Sequence, residues 1–335
     1  MLYAKITGKR IPLRVEVHIT KMCNLRCIHC YADFEKLKQV PEPSTQIWKK
    51  LFDQLHSCGT RWLRFLGGEP LMRPDIGELI DYAHKKGIVC DLNTNGYFLP
   101  QKVKQLKNLS SICISIDGDP VQNDRVRGKG CYNKVIEAIE VALANNMVVR
   151  LHGVLMRYTM DSLEHLLNLS KKYNVSFNLS EAARPDMADT NLVLSEDERR
   201  KFYHKFIQYK KDGWPIMNSV LAMEEVLNWP FGEKRVIFPE DLRGKKVRYT
   251  RCQQTLTSCI IDTDGTVSSC TGRWGEGLNC FDLGFKKAWD YIGKNTKCVT
   301  CMHLGYIELS KFISFDPATM KGALVNMYLN KRGKK

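Results

Sequence analysis

The chain has 335 residues, with 51 Lys and Arg against 36 Asp and Glu, a formal charge of +15. Apolar residues make up 44%, enough for a sizeable core in one large domain or a core plus a smaller one. No run approaches the ~18 consecutive apolar residues of a membrane span, and Met1-Leu2-Tyr3-Ala4-Lys5 opens no signal-peptide stretch. The expected compartment is therefore the reducing cytoplasm, where thirteen cysteines read as metal ligands or catalytic groups rather than disulfides. The basic excess suits nucleic acid, an acidic peptide, phosphorylated substrates or anionic lipid heads. With no aromatic-interleaved basic motif, charge alone makes no case for nucleic acid, and Lys331-Arg332-Gly333-Lys334-Lys335 reads as a solvated tail.

In chain order, a β-rich run at residues 14–20 leads into Cys23-Asn24-Leu25-Arg26-Cys27-Ile28-His29-Cys30. Three cysteines spaced C-x3-C-x2-C stand within eight residues. A cubane [4Fe–4S] centre has four irons, and thiolates are its usual ligands. A trio leaves one iron open to bind and activate a small molecule. Structural zinc needs four tetrahedral ligands, and His29, between Cys27 and Cys30, is awkwardly placed to be the fourth.

Further strands are expected at 62–66, 88–93, 111–116, 148–155 and 175–179. Helical patterns lie between them. Ser44 caps one that carries Ile47, Leu51 and Leu55 on one face. Asp75 caps a second with Ile76, Leu79, Ile80 and Ala83, stopped by Gly87. A third covers about 132–143, and Asp161 with Glu164 forms a capping-box pattern ahead of Leu166 and Leu167. Six strands each followed by a helix imply parallel pairing with right-handed crossovers. An open doubly wound sheet and a partly closed barrel fit that pattern equally.

Three strand ends carry polar turns. Gly67-Gly68-Glu69-Pro70 ends the second strand: its glycines let a ligand approach the backbone, and Glu69 adds a carboxylate. Asn93-Thr94-Asn95-Gly96 and Ser115-Ile116-Asp117-Gly118 end the third and fourth, in residues that also favour ordinary bends. Arg127-Gly128 follows, with a surface arginine as its plain reading. His152, on the fifth strand, reads as a satisfied core histidine. Beyond residue 180, Ser195-Glu196-Asp197-Glu198 starts a helix continued by Phe202, Phe206 and Tyr209. The segments Trp214-Pro215, Trp229-Pro230 and Phe238-Pro239 read as a bridge over the mouth of the core.

Six cysteines, Cys252, Cys259, Cys270, Cys280, Cys298 and Cys301, fall within fifty residues. Thr263-Asp264-Gly265 reads as a hairpin turn that brings Cys270 near Cys252 or Cys259. Asp262 and Asp264 match part of a calcium loop whose remainder is absent. Zinc held by four thiolates is an open alternative for this set. Cys58, Cys90, Cys113 and Cys131 are scattered; Cys90 and Cys113 lie within strands and read as buried.

With C-x3-C-x2-C after the first strand and Gly67-Gly68-Glu69 after the second, the chain resembles the radical SAM superfamily. The resemblance implies an α/β fold whose core is a partial (β/α)6 TIM barrel. Cys23, Cys27 and Cys30 would hold a [4Fe–4S] cluster, and its free iron would chelate S-adenosylmethionine. Reductive cleavage would give methionine and a 5′-deoxyadenosyl radical that takes hydrogen from a substrate. Gly67, Gly68 and Glu69 would bind the methionine ammonium. Asn95, Ser115 and Asp117 would line the cofactor pocket, and Arg127 would contact carboxylate. The family often places an aromatic residue before the third cysteine, next to adenine; here His29 stands there, with Tyr31 just after.

The C-terminal set resembles the SPASM/Twitch extension. Ile261, Asp264, Gly265, Val267 and Cys270 match its hairpin, and Phe285-Lys286-Lys287-Ala288-Trp289 matches its helix. Cys252, Cys270, Cys298 and Cys301 would ligate one auxiliary [4Fe–4S] cluster, making two in all. Cys259 and Cys280 remain as buried spares, alternative ligands or a hydrogen-atom donor. The implied division is a core at 1–190, a helical bridge at 191–245 and a small β-hairpin/helix iron–sulfur domain at 246–335.

A fully ligated auxiliary centre suits an electron relay in net oxidation, dehydrogenation or cross-linking of a small molecule or ribosomal peptide. Because the first strand begins near residue 14, no peptide-recognition domain is expected before it. An external donor of flavodoxin or ferredoxin type would supply electrons. The competing reading is a non-catalytic iron–sulfur or zinc protein acting as electron carrier or partner-binding module. It leaves Gly67-Gly68-Glu69 without a purpose.

Overall fold

Strand β1 (Arg14–His18) alternates Val15 and Val17 with Arg14, Glu16 and His18. Successive side chains of a strand point to opposite faces, so the valines enter the hydrophobic core while the charged residues share the other face. The computed structural model describes residues 8–32, 39, 41–182 and 192–314. The basic tail, the first seven residues and the expected boundary at 190/191 lie outside them.

From β1 the sheet grows in sequence order through β2 (Trp62–Leu66), β3 (Val89–Thr94), β4 (Ser111–Ser115), β5 (Val149–Leu155) and β6 (Ser176–Glu181). Every neighbouring pair is parallel. The connecting helices are α1 (Thr45–Ser57), α2 (Ile76–Lys85), α3 (Pro120–Arg127), α4 (Cys131–Ala144) and α5 (Leu163–Tyr173). All but α3 cover the apolar face, giving the partial (β/α)6 barrel whose concave side is polar. One crossover departs from the expected rule: β3 reaches β4 through a single helical turn, Leu99–Lys102, and a 3₁₀ turn.

Three local expectations need correction. In α1, Ser44 does cap, accepting from Ile47 N, but the buried face is Trp48, Leu51, Phe52 and Leu55. Ile47 is 41% exposed, because the buried stripe is centred about a quarter-turn from it. Asp75 stands at the N-cap of α2 without a side-chain cap bond; Arg73, at 2.7 Å, and Thr45 hold its carboxylate instead. The Asp161/Glu164 capping box does not form. The helix begins at Leu163 behind Ser162, whose hydroxyl donates to Asp119 at 2.8 Å.

After β6 come α6 (Glu196–Lys211), started by a complete Ser195/Glu198 capping box, and α7 (Val220–Leu227). The Trp214-Pro215 segment lies along the edge of β6. Phe177 N donates to Pro215 O at 2.8 Å, Met217 N to Phe177 O at 2.7 Å, and Leu179 N to Asn218 Oδ1 at 3.0 Å. It satisfies backbone groups that an edge strand would otherwise expose.

The C-terminal segment supplies β7 (Val236–Ile237), β8 (Ser258–Ile261), β9 (Val267–Ser268), α8 (Phe285–Asn295), β10 (Thr300–Cys301) and α9 (Leu304–Ile313). Its expected hairpin forms, with β8 and β9 antiparallel around Gly265, at φ +89°. The hairpin does not stand apart: β8 pairs parallel to β1, Val15 opposite Cys259, and extends the core sheet. A separate two-stranded sheet joins β7 to β10. Among the described residues no helix is long and apolar enough to cross a membrane.

Candidate active site

The pairing of β1 with β2 continues past both strands. Ile19 N donates to Leu66 O, Gly68 N to Thr20 O at 2.8 Å, and Glu69 N to Met22 O at 2.7 Å. A Cβ on Gly68 would stand 2.2 Å from Met22 O and 2.9 Å from Cys23 Cβ; one on Gly67, at φ +144°, would stand 2.5 Å from Thr20 O. The two glycines admit the backbone that carries the cysteines.

Cys23, Cys27 and Cys30 are partly buried on this loop, where Cys30 N bonds Cys27 O at 3.0 Å and Ile28 N bonds Val126 O at 3.1 Å. Burial pushes the Cys23 thiol up to about 11 and Cys27 to about 12. They are protonated thiols until a metal displaces the protons. Three soft donors on one loop, the enclosed and unpartnered Nδ1 of His29 and the nearby Arg127 charge suit an anionic thiolate-held cluster.

Glu69 is buried beside the trio. Its carboxylate accepts from Leu71 N at 3.0 Å, Thr94 Oγ1 at 2.7 Å and Asn95 N at 2.7 Å. Burial still outweighs those donors and raises it to about 6. Asn95 also donates from Nδ2 to Asn24 Oδ1 at 2.9 Å, tying the end of β3 to the cysteine loop.

Asp117 is fully enclosed. Its Oδ2 lies 2.7 Å from Arg127 Nε and 3.8 Å from His29 Nε2, while Oδ1 accepts from Val154 N at 2.8 Å. Burial works against its charge, but Arg127 and His29 hold it below the usual carboxylate range. Arg127 is therefore no surface arginine; the carboxylate it meets here is the chain's own. Ser115 is half-buried beside His152 in register, and His152 Nε2 meets Ser180 Oγ at 3.0 Å.

The second set converges as well. Cys252, Cys270, Cys298 and Cys301 line one cavity together with Arg273, His303 and Glu181 at the end of β6. Cys252 N bonds Val299 O at 2.8 Å, drawing the first of them to the C-x2-C pair. Burial pushes Cys252 to about 11 and Cys270 to about 12. Arg273 Nε, a buried donor without a partner, belongs to a residue lining the same cavity, as suits an anionic thiolate-held group. Cys259 and Cys280 are wholly buried in the core and do not line it. Among the described residues no group of three His, Cys, Asp or Glu side chains is placed to hold a single metal ion; a cubane instead spreads its ligands over separate irons.

Two features escaped sequence reasoning. The concave face carries an ionic lattice in which Arg64 reaches Glu16 at 3.7 Å and Asp91 at 3.5 Å, and Arg150 reaches Asp91 at 2.8 Å. The polar alternation of Arg14, Glu16 and His18 was its signal. Trp274 also packs on His18 at 4.5 Å and on Tyr31, the residue after Cys30, at 5.5 Å between ring centres. No local pattern marks that contact.

A cysteine trio and an acidic Gly-Gly-Glu turn at the C-terminal ends of neighbouring strands, on a partial parallel barrel, define a radical SAM type of core. The family model described as the radical SAM superfamily matches residues 17–170. Over 300 residues the chain is 30% identical to the mycofactocin maturase MftC of Mycolicibacterium smegmatis, covering 85% of this chain and 71% of that one. Against the Fe-coproporphyrin III synthase of Methanosarcina barkeri it is 31% identical over 212 residues, 62% of this chain and only 47% of the relative. Among solved structures, Streptococcus suis SuiB bound to precursor peptide SuiA shares the fold with a TM-score of 0.69 at 15% identity, over 88% of this chain and 69% of that one. Another, anSMEcpe with bound AdoMet and Cp18Cys peptide, does so with a TM-score of 0.64 at 18% identity, over 89% and 83%.

The chain belongs to the radical SAM superfamily. It is an enzyme of that superfamily, so the carrier-only reading falls, and membership brings a [4Fe–4S] cluster and S-adenosylmethionine.

Proposed function

We propose that Cys23, Cys27 and Cys30 hold the cluster that activates S-adenosylmethionine, and that Cys252, Cys270, Cys298 and Cys301 hold a second, auxiliary [4Fe–4S] cluster. When bound, the first supplies the electron that splits the sulfonium, releasing methionine and a 5′-deoxyadenosyl radical that takes hydrogen from the substrate. The carrying observation is the shared cavity: four cysteines from three separate segments line it, while the other two of that region sit in the core.

In this reading Glu69 receives the methionine ammonium, and Gly67 and Gly68 keep the cysteine loop against it. Asn95, Ser115 and Asp117 border the cofactor, with His29 and Tyr31 on its adenine side and Arg127 holding Asp117 in place. The division into a core at 1–190, a bridge at 191–245 and an auxiliary unit at 246–335 belongs to the same proposal. So do net oxidation of the substrate, an external donor of flavodoxin or ferredoxin type, and a reducing cytoplasm, which suits thirteen free thiols.

A peptide is the preferred substrate, because the maturase likeness runs over 85% of the chain and the fold is shared with SuiB bound to its precursor peptide. A carboxylate-bearing small molecule is the second reading, favoured by the Fe-coproporphyrin III synthase likeness and by three arginines facing two carboxylates on the concave surface.

The test is anaerobic reconstitution followed by iron analysis and assay of 5′-deoxyadenosine with dithionite. About eight irons per chain are expected, four for each cubane. Replacing Cys23, Cys27 and Cys30 by alanine should halve the iron and abolish 5′-deoxyadenosine. A mononuclear metal at the trio, or nucleoside formation that survives its loss, overturns the assignment.

A further inference from the structure

Between β7 and Cys252 runs Arg243-Gly244-Lys245-Lys246-Val247-Arg248-Tyr249-Thr250-Arg251, with five cations in nine residues and no acidic one. All five are exposed, and among the described residues none has a carboxylate within ion-pair distance. The acid just before them, Asp241, is already engaged, by Lys234 at 2.5 Å and by Phe238 N at 2.9 Å. The strip is anchored to the fold. Lys245 N donates to Leu242 O at 3.0 Å, and Tyr249 packs on Phe231 at 6.3 Å between ring centres. Thr250 donates from N and Oγ1 to the two oxygens of Glu225 at 2.7 and 2.6 Å, while Thr250 O accepts from Thr300 Oγ1 at 2.8 Å. Unpaired like charges on a held backbone keep a strong local field.

Position narrows the partner. The strip runs directly into Cys252, which like Cys270, Cys298 and Cys301 is only partly buried, whereas Cys259 and Cys280 are fully so. Its anchors, Glu225 on α7 and Thr300 on β10, lie outside the eight-stranded sheet, while a substrate has to reach the strand ends that carry Glu69 and the trio. Its one aromatic ring is packed on Phe231 and is not offered for stacking on bases. We propose that residues 243–251 dock an acidic electron-transfer protein of flavodoxin type beside the auxiliary cluster. This rests on the auxiliary site and the net oxidation proposed above. Hydrogen abstraction takes one electron and a proton from the substrate, and the substrate radical gives a second electron to the auxiliary cluster. The docked carrier accepts that electron, its flavin passing from quinone to semiquinone with a proton from water. Electron transfer falls steeply with distance, so the carrier has to sit against the ligand cysteines, and the strip steers it there.

The test uses the full chain with Cys23, Cys27 and Cys30 replaced by alanine, so that the auxiliary cluster alone remains, reconstituted anaerobically, reduced with dithionite and desalted. Mixed with oxidised flavodoxin in a stopped-flow instrument, it should form flavin semiquinone at a rate that falls at least about tenfold from low to high salt. The variant Lys245→Glu, Lys246→Glu, Arg248→Glu, carrying the same iron, should lose at least about tenfold of the low-salt rate and most of the salt dependence. Its binding of flavodoxin in a calorimetric titration should fall with it. The variant Lys85→Glu, Lys104→Glu, Lys107→Glu makes an equal charge change on the connections into β3 and β4, and should stay close to the parent. A neutral quinone should oxidise all three proteins alike. If the first variant loads no iron, Lys245→Gln, Lys246→Gln, Arg248→Gln carries the comparison with a smaller loss. Equal losses in both triple variants, a parent rate untouched by salt, or transfer to the quinone but not to flavodoxin overturns the proposal. So does a strip variant that keeps flavodoxin transfer and loses only its binding of a polyglutamate peptide, since the strip then serves an acidic chain. If the chain without the trio binds no iron, the auxiliary site is wrong and the proposal goes with it, an outcome distinct from the others.

Discussion

At the scale of single residues the site is governed by burial acting on charge. Glu69 shows this best. Three donors stabilise its carboxylate, yet desolvation prevails and raises it from 4.5 to about 6. A carboxyl raised in the folded state is stabilising when protonated; ionising it costs stability as pH climbs from the ordinary value through about 6. Binding an ammonium runs the other way, since only the carboxylate attracts it. Affinity of the reconstituted protein for S-adenosylmethionine should therefore weaken as pH falls through about 6, by up to about tenfold per unit well below it. Glu69→Gln should bind more weakly at pH 8 and lose this dependence. Equilibrium dialysis across pH decides it: identical curves for the two proteins would remove Glu69 from the ammonium site. The motif made Glu69 legible in the sequence. The embrace of Asp117 by Arg127 and His29 was not legible, because each residue alone fits an ordinary turn or surface position.

Among the elements, the end of β2 and the loop after β1 behave as one unit. Backbone bonds continue from Ile19 through Met22 along Leu66 to Glu69, with no room for a side chain between them. Alanine at position 68 would put its Cβ 2.2 Å from a backbone oxygen, which no side-chain rotation relieves. Gly68→Ala should cost about 1–3 kcal/mol, as overpacking does, and deplete iron at the trio while leaving that of the second cavity. Denaturant unfolding with iron analysis checks both; full iron content at wild-type stability would show that the loop can move away freely. Secondary structure itself was readable, since five of the six core strands follow period-two alternation or a short β-branched run bounded by turns. The helix after Asp75 starts where expected, but the side chains at the N-caps of α2 and α5 turn to partners elsewhere, Thr45 for Asp75 and Asp119 for Ser162, in place of their own backbone.

Over the whole molecule, the C-terminal segment is part of the core. β8 occupies the edge of β1, Thr263 Oγ1 donates to His18 O at 2.9 Å, and Phe285 N donates to Gln54 Oε1 at 2.7 Å. Arg10 donates to Thr255 O at 2.7 Å and stacks over Trp289 at 4.1 Å. A chain ending at residue 245 would uncover the β1 edge and much of the apolar surface beneath α8. It should aggregate, or unfold without a cooperative transition, in size-exclusion and thermal measurements. A monomeric, cooperatively folding fragment would show the core to be self-sufficient.

The sequence by itself determined the parallel βα alternation, the cysteine trio and the Gly-Gly-Glu turn, because short-range spacing and alternation encode them directly; an open sheet and a partial barrel share that pattern. Only the tertiary structure decided which of the six later cysteines share a cavity and which are core. Their separation along the chain is closed by β1 pairing with β8 and β7 pairing with β10, contacts between distant segments that leave no local pattern to read.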